Sequence, residues 1–195
     1  LAEIAEYHQG LVIVCGPSGS GKSTTLAALV NLFNETRHDH VITLEDPVEF
    51  VHPFKNCLVN QREVGSATQS FARALRAALR EDPDVIAIGE LRDLETISLA
   101  LTAAETGHFV LGTLHTTSAV KTIDRMVDAL PAEEREQTKS FMSQSLIGVV
   151  TQVLVRTPDL RGRRAVCEVM VMNRAIGKLI MTDQTHMLPS QLQTG

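Results

Sequence analysis

The chain has 195 residues, 44% of them hydrophobic, with 18 Lys and Arg against 23 Asp and Glu. That length buries a substantial core without disulfide or metal staples, and the apolar share excludes a disordered chain. No run approaches the ~18 consecutive apolar residues a membrane helix requires. A net charge of −5 and 4% aromatic residues supply neither a basic footprint nor stacking platforms, so no nucleic-acid partner is expected.

In chain order, Leu11 to Cys15 (LVIVC) reads as a buried parallel strand, broken by Gly16 to Gly21. Lys22 to Phe33 follows as a helix with Leu26, Leu29, Val30 and Phe33 on one face. Val41 to Leu44 is a second strand, ended by Glu45-Asp46-Pro47. Ser70 to Glu81 is an amphipathic helix carrying Arg73, Arg76 and Arg80 on a separate face. Val85 to Ile88 is a third strand, ending at Gly89-Glu90. Leu94 to Glu105 is a helix, and Phe109 to Leu114 a strand ending at His115.

Beyond Thr117, helices are expected at Ala119 to Ala129 and Glu133 to Val150, and strands at Gln152 to Val155 and Ala165 to Val171 around a turn-rich Thr157 to Arg163. A last helix is expected at Asn173 to Met181. Alternating helices and near-continuous apolar strands predict an α/β fold with a mostly parallel sheet, helices on both faces and a helical C-terminal portion. Cys15, Cys57 and Cys167 are odd in number and lack a C-x-x-C pair, which fits a reducing cytoplasm rather than a disulfide or zinc framework. The start at Leu1 and the end at Gly195 after a polar run read as cuts from a longer protein.

Gly16-Pro17-Ser18-Gly19-Ser20-Gly21-Lys22-Ser23 fits G-x-x-x-x-G-K-[ST], the phosphate loop. Its backbone N–H groups cradle polyphosphate at a helix N-terminus, Lys22 adds charge at the β and γ phosphates, and the Ser23 hydroxyl can ligate Mg²⁺. The preceding strand and following helix separate it from a ligand-free glycine turn. Ligands of open α/β sheets sit outside the carboxyl ends of the strands. Those ends carry Glu45-Asp46, Glu90 and His115. A single such residue is as readily a solvated loop group, but three beside a phosphate loop suit hydrolysis of a nucleoside triphosphate. Glu45 and Glu90 can divide water activation and Mg²⁺ ligation, and His115 can bond the γ-phosphate. Arg73, Arg76 and Arg80, with Arg62 and Arg92 nearby in sequence, can supply charge to a phosphate in their own or a neighbouring subunit, or form a solvated face paired with Glu81 and other carboxylates. Asp84, at the opposite end of its strand, reads as a cap or turn residue.

Four ordered boxes resemble the secretion ATPase superfamily of type II secretion and type IV pili, most closely its pilus-retraction branch. They are GPSGSGKSTT (Gly16 to Thr25), ITLEDPVEFVH (Ile42 to His52), DPDVIAIGELRD (Asp82 to Asp93) and GHFVLGTLHTTSA (Gly107 to Ala119). NQREVG (Asn60 to Gly65) and ALRAALREDPD (Ala74 to Asp84) also read like that branch. The resemblance implies a RecA-like ATPase domain at 11–172, preceded by linker at 1–10, with a shortened helical segment at 173–195 and the family's N-terminal domain missing. It implies ATP bound by Pro17 to Thr24, Mg²⁺ at Ser23 and Glu90, Glu45 activating water, Glu90 as the Walker B glutamate, and His115 facing the γ-phosphate.

It further implies a hexameric ring at the cytoplasmic face of the bacterial inner membrane, acting on a polytopic pilus platform protein, with a paralogous ATPase as a further partner. The output implied is pilus retraction and twitching motility. The four-cysteine zinc motif usual in the secretion and assembly branch is absent. The retraction branch's AIRxLIRE segment appears as Ala175 to Thr182 (AIGKLIMT) without its two arginines, and Cys167 replaces a histidine before Glu168. These departures leave an accessory nucleotide-binding paralogue as the alternative output. A nucleotide kinase shares the phosphate loop but requires an acceptor pocket.

Overall fold

Alternation of apolar residues along each strand sets the layers of this protein. In β1 (Gly10–Cys15), Leu11, Ile13 and Cys15 face one side of the sheet and Val12 the other. β2 (His40–Glu45), β4 (Val85–Ile88) and β5 (Phe109–Leu114) divide in the same way. Ile42, Leu44, Ile86, Ile88 and Val110 face one side, and Val41, Val85, Ala87, Phe109 and Leu111 the other. Both faces are therefore apolar and both are covered. α1 (Lys22–Thr36) packs Leu26, Leu29, Val30 and Phe33 on the second face, where the Phe33 and Phe109 rings meet edge to face at 5.4 Å. α2 (Phe71–Ala78), α3 (Leu94–Glu105), α4 (Ala119–Asp128), α5 (Arg135–Ser145) and α6 (Arg174–Met181) bury Leu75, Ile97, Ile123, Met142 and Ile176 in the cluster on the first.

The computed structural model describes residues 2–159 and 161–194. Leu1, Leu160 and Gly195, parts of the expected linker, turn and C-terminal segment, lie outside the described residues. With β3 (Leu58–Glu63), β6 (Leu146–Arg156) and β7 (Arg163–Val171), the sheet has seven strands in the order β3-β2-β4-β5-β1-β6-β7. All are parallel except β7, which runs antiparallel to β6. The expected α/β fold with a mostly parallel sheet is the fold observed. Side-chain caps start the helices where polar residues precede apolar runs: Ser70, Asp93, Ser118 and Asn173 accept from the N–H groups of Arg73, Thr96, Lys121 and Ile176.

Three elements differ from the sequence expectation. The helix expected to reach Val150 ends at Ser145, and β6 occupies Leu146–Arg156. Its β-branched run (Ile147, Val149, Val150, Val153, Val155) pairs with the open edge of β1, satisfying backbone groups that a helix there would leave exposed beside a buried strand. β3 forms from Leu58–Glu63, where no strand is expected, because one-sided pairing with β2 needs little apolar surface. A short α7 (Leu188–Thr194) follows α6 and buries Leu188. Asp84, read as a cap or turn residue, caps no helix among the described residues: its carboxylate accepts from the N–H of His40 at the start of β2 (2.8 Å).

Candidate active site

The strands β2, β4, β5 and β1 are consecutive in the sheet, so their carboxyl ends bring Glu45, Glu90, His115 and the phosphate loop side by side. They line a cavity of about 530 Å³ together with Ser18, Gly19, Gly21, Lys22, Ser23, Thr24, Asp46, His52 and Arg92. That is room for a nucleotide. Of the predicted loop residues, Pro17 and Ser20 stand behind this lining. Pro17 contributes its carbonyl to Lys22, and Ser20 is buried with no partner for its hydroxyl.

The loop is shaped by its glycines and by a buried glutamine. Gly16 has φ +152°, and a Cβ there would stand 2.2 Å from the Gln152 carbonyl oxygen, so only glycine fits. Gln152, on β6, donates its side-chain amide to Ser20 O (2.6 Å) and accepts from the Thr25 hydroxyl (2.8 Å). It ties the top of the loop to the first turn of α1. The intrahelical ladder begins with Thr25 N–H donating to Gly21 O, which leaves the N–H groups of Lys22, Ser23 and Thr24 outside it at the cavity.

Lys22 folds back on the loop. Its ammonium donates to Gly16 O (3.0 Å) and Pro17 O (3.1 Å) and lies 3.4 Å from His115 Nδ1. An ammonium only donates, so Nδ1 is the acceptor and Nε2 carries the proton, 3.2 Å from Glu90 Oε1. The other Glu90 oxygen accepts from Arg92 Nε at 2.6 Å, and Arg92 also lies 3.7 Å from the Asp46 carboxylate. Lys22, His115, Glu90 and Arg92 thus form one chain across the cavity floor. Burial pushes the Lys22 amine below its usual value, with the Glu90 and Cys15 charges acting in the opposite sense. A polyphosphate in the cavity would reverse that cost. Burial also lowers His52, against the opposing field of Glu45.

Of the candidate arginines for phosphate contact, Arg62, Arg76 and Arg80 lie outside the cavity. Arg62 pairs with Glu81 and Arg76 with Glu95, and neither they nor Arg80 line the cavity. The arginine that does is Arg92, two residues beyond Glu90 in the same box. Gln152 was missed by sequence reading; its only signal is a single amide inside an apolar strand. Among the described residues no cluster of three His, Cys, Asp or Glu side chains is arranged for a metal. Mg²⁺ needs none, since substrate phosphates and water supply most of its ligands. The hard oxygens of Ser23 and Glu90 on the cavity wall fit that requirement.

A family model described as type II/IV secretion system protein matches residues 1–194. The chain belongs to this family. Among type II/IV secretion proteins it is 56% identical over 193 residues to a twitching motility protein of Neisseria gonorrhoeae, covering 99% of this chain and 52% of that one. It is also 56% identical over 192 residues to the type IV pilus retraction ATPase PilT of Pseudomonas aeruginosa, covering 98% and 56%. A crystal structure of the pilus retraction motor PilT with bound ADP superposes with a TM-score of 0.95 at 49% identity, covering 99% of this chain and 56% of that one. The chain therefore spans about half the length of the curated relatives it matches. The sheet and its helices agree with a RecA-like core.

Proposed function

We propose that this chain is the ATP-hydrolysing motor domain of a type IV pilus retraction ATPase. The observation that carries the reading is the convergence of Glu45, Glu90, His115 and the phosphate loop on one cavity from four consecutive strands. Similarity to PilT and to the twitching motility protein supports the biological output.

In this reading the loop N–H groups and Lys22 hold the β and γ phosphates, exchanging the Lys22 contacts with Gly16 and Pro17 carbonyls for phosphate oxygens. Ser23 would ligate Mg²⁺ directly and Glu90 through a water molecule, and the ion would neutralise charge on the phosphates. Glu45 takes the proton of the attacking water. His115 turns its single N–H from Glu90 toward the γ-phosphate and so reports its presence to Glu90. Arg92 holds the second Glu90 oxygen and so fixes the carboxylate plane.

A hexameric ring at the cytoplasmic face of the inner membrane, working on a platform protein, belongs to the same proposal. No helix of the described residues is long and apolar enough to cross a membrane, which suits a motor acting on a separate membrane protein. A second reading rests on α6: Gly177 and Met181 stand where the retraction branch carries arginines, and Met181 is 40% exposed. That change favours an accessory ATPase working beside a more active paralogue. Complementation separates the two. The full-length protein should restore twitching to a strain lacking its retraction ATPase; normal ATPase activity without twitching would select the accessory reading.

A further inference from the structure

β3, the polar edge strand, lies beside the strand that carries Glu45. Gln61 on β3 is the register partner of Thr43 on β2, and Thr43 and Glu45 share a strand face. Both partners donate to the same carboxylate oxygen. The Thr43 hydroxyl bonds Glu45 Oε1 at 2.7 Å and the Gln61 amide bonds it at 2.9 Å. Among the described residues Oε2 has no hydrogen-bond donor, and Glu45 lines the cavity.

The orientation of the Gln61 amide follows from its partners. Its nitrogen also donates to Phe50 O (2.8 Å), and its oxygen accepts from His52 N–H (2.8 Å). A flipped amide would set its oxygen against two acceptors and its NH₂ against a donor. Gln61 therefore clamps Glu45 on one side and the segment containing Phe50 and His52 on the other. That segment also carries Asp46, Glu49 and His52 along the cavity wall.

We infer that Gln61 and Thr43 are positioning residues that lock Oε1 of Glu45 and leave Oε2 as the oxygen that receives the proton of the attacking water. The inference rests on the reading of Glu45 as the base and adds which oxygen acts and what holds it. It also makes the Gln61 clamp the link between the cavity-wall segment and the base: displacing Phe50 and His52 pulls the amide off Glu45. A base misplaced by about an ångström loses much of its rate advantage, of order 100-fold, while phosphate binding at the loop is untouched.

The test is steady-state and single-turnover hydrolysis by the full-length protein. Gln61→Leu and Thr43→Val should each lower kcat by about 10- to 100-fold with KM for ATP within about twofold of the parent. Thr43→Ser keeps the donor and should restore most of the rate. In a Glu45→Gln background, Gln61→Leu should add no further loss, because the residue acts only through that carboxylate. An unchanged kcat in Gln61→Leu, or an equal loss with and without Glu45, overturns the inference. Wild-type turnover in Glu45→Gln alone would instead remove Glu45 as the base. Thr43→Val is nearly isosteric, so the test stands even if Gln61→Leu fails to fold.

Discussion

Replacing Gln152 by leucine keeps the volume of a buried strand residue and deletes two hydrogen bonds that shape the phosphate loop. Ser20 O, in a residue only 2% exposed, loses its donor at 2.6 Å, and the Thr25 hydroxyl loses its acceptor at 2.8 Å. An orphaned buried carbonyl costs about 1–3 kcal/mol, whereas a half-buried hydroxyl recovers most of its loss from water. The sum is about 1–3 kcal/mol, which for a chain of this size lowers Tm by about 2–12 °C. The loop itself should open, because Gln152 is its tie to β6. Nucleotide-free thermal unfolding followed by circular dichroism, with titration of a fluorescent ADP analogue, measures both effects. A Tm within about 2 °C of the parent together with unchanged ADP affinity would refute the buttress role.

Gly16→Ala should abolish nucleotide binding, since its Cβ falls 2.2 Å from Gln152 O and 2.6 Å from the Ser20 hydroxyl oxygen; measurable ADP binding by calorimetry would contradict that geometry. Lys139 joins α5 to Asp183 beyond α6, with its ammonium bonded to Asp183 (2.6 Å) and Glu136 (2.7 Å) and its side chain 5% exposed. Those bonds raise it above its ordinary value of 10.5. The folded state therefore holds the proton longer than the unfolded chain, and the stabilisation is full below that value and is lost as pH rises through the raised one. Lys139→Met should lower Tm by about 2–4 °C at pH 7, for a loss of about 1 kcal/mol to partners that stay largely hydrated. The gap between the two proteins' Tm values should narrow as pH rises beyond 10.5, and a gap that stays constant across the range would discard the assignment.

Elements whose residues face the core on both sides were legible from sequence, because burial demands unbroken apolar runs. LVIVC of β1, VIAI of β4 and FVLGTL of β5 are of this kind: β1 runs into the phosphate loop, β4 into Gly89-Glu90 and β5 into His115. β3 (LVNQRE) carries the opposite message. It is an edge strand whose Asn60, Gln61 and Arg62 bond to neighbouring side chains rather than to a core, so its composition is that of a loop. The start of β6 was obscured because Arg135–Ser145 has helical spacing that runs without a turn signal into Leu146. The same limit applies within the site. The residues that would touch nucleotide lie in contiguous boxes, whereas Gln61 and Gln152 reach it from the two flanking strands, β3 and β6. Strand order, which no local pattern encodes, is what puts them there. Arg92 stands beside Glu90 in the sequence, but that it lines the cavity while Arg62, Arg76 and Arg80 do not is set by the folded arrangement of the elements.

In the proposed function this cavity binds MgATP chiefly through the phosphate loop and cleaves it with the groups at the strand ends. Glu90→Gln tests it most directly, measured as MgATP affinity and phosphate release by the full-length protein side by side. Its shape is kept while the charge that would hold the metal and pairs with His115 and Arg92 is removed. The account predicts affinity within a few-fold of the parent and turnover reduced to background. Turnover at the parent rate with the charge gone would contradict it.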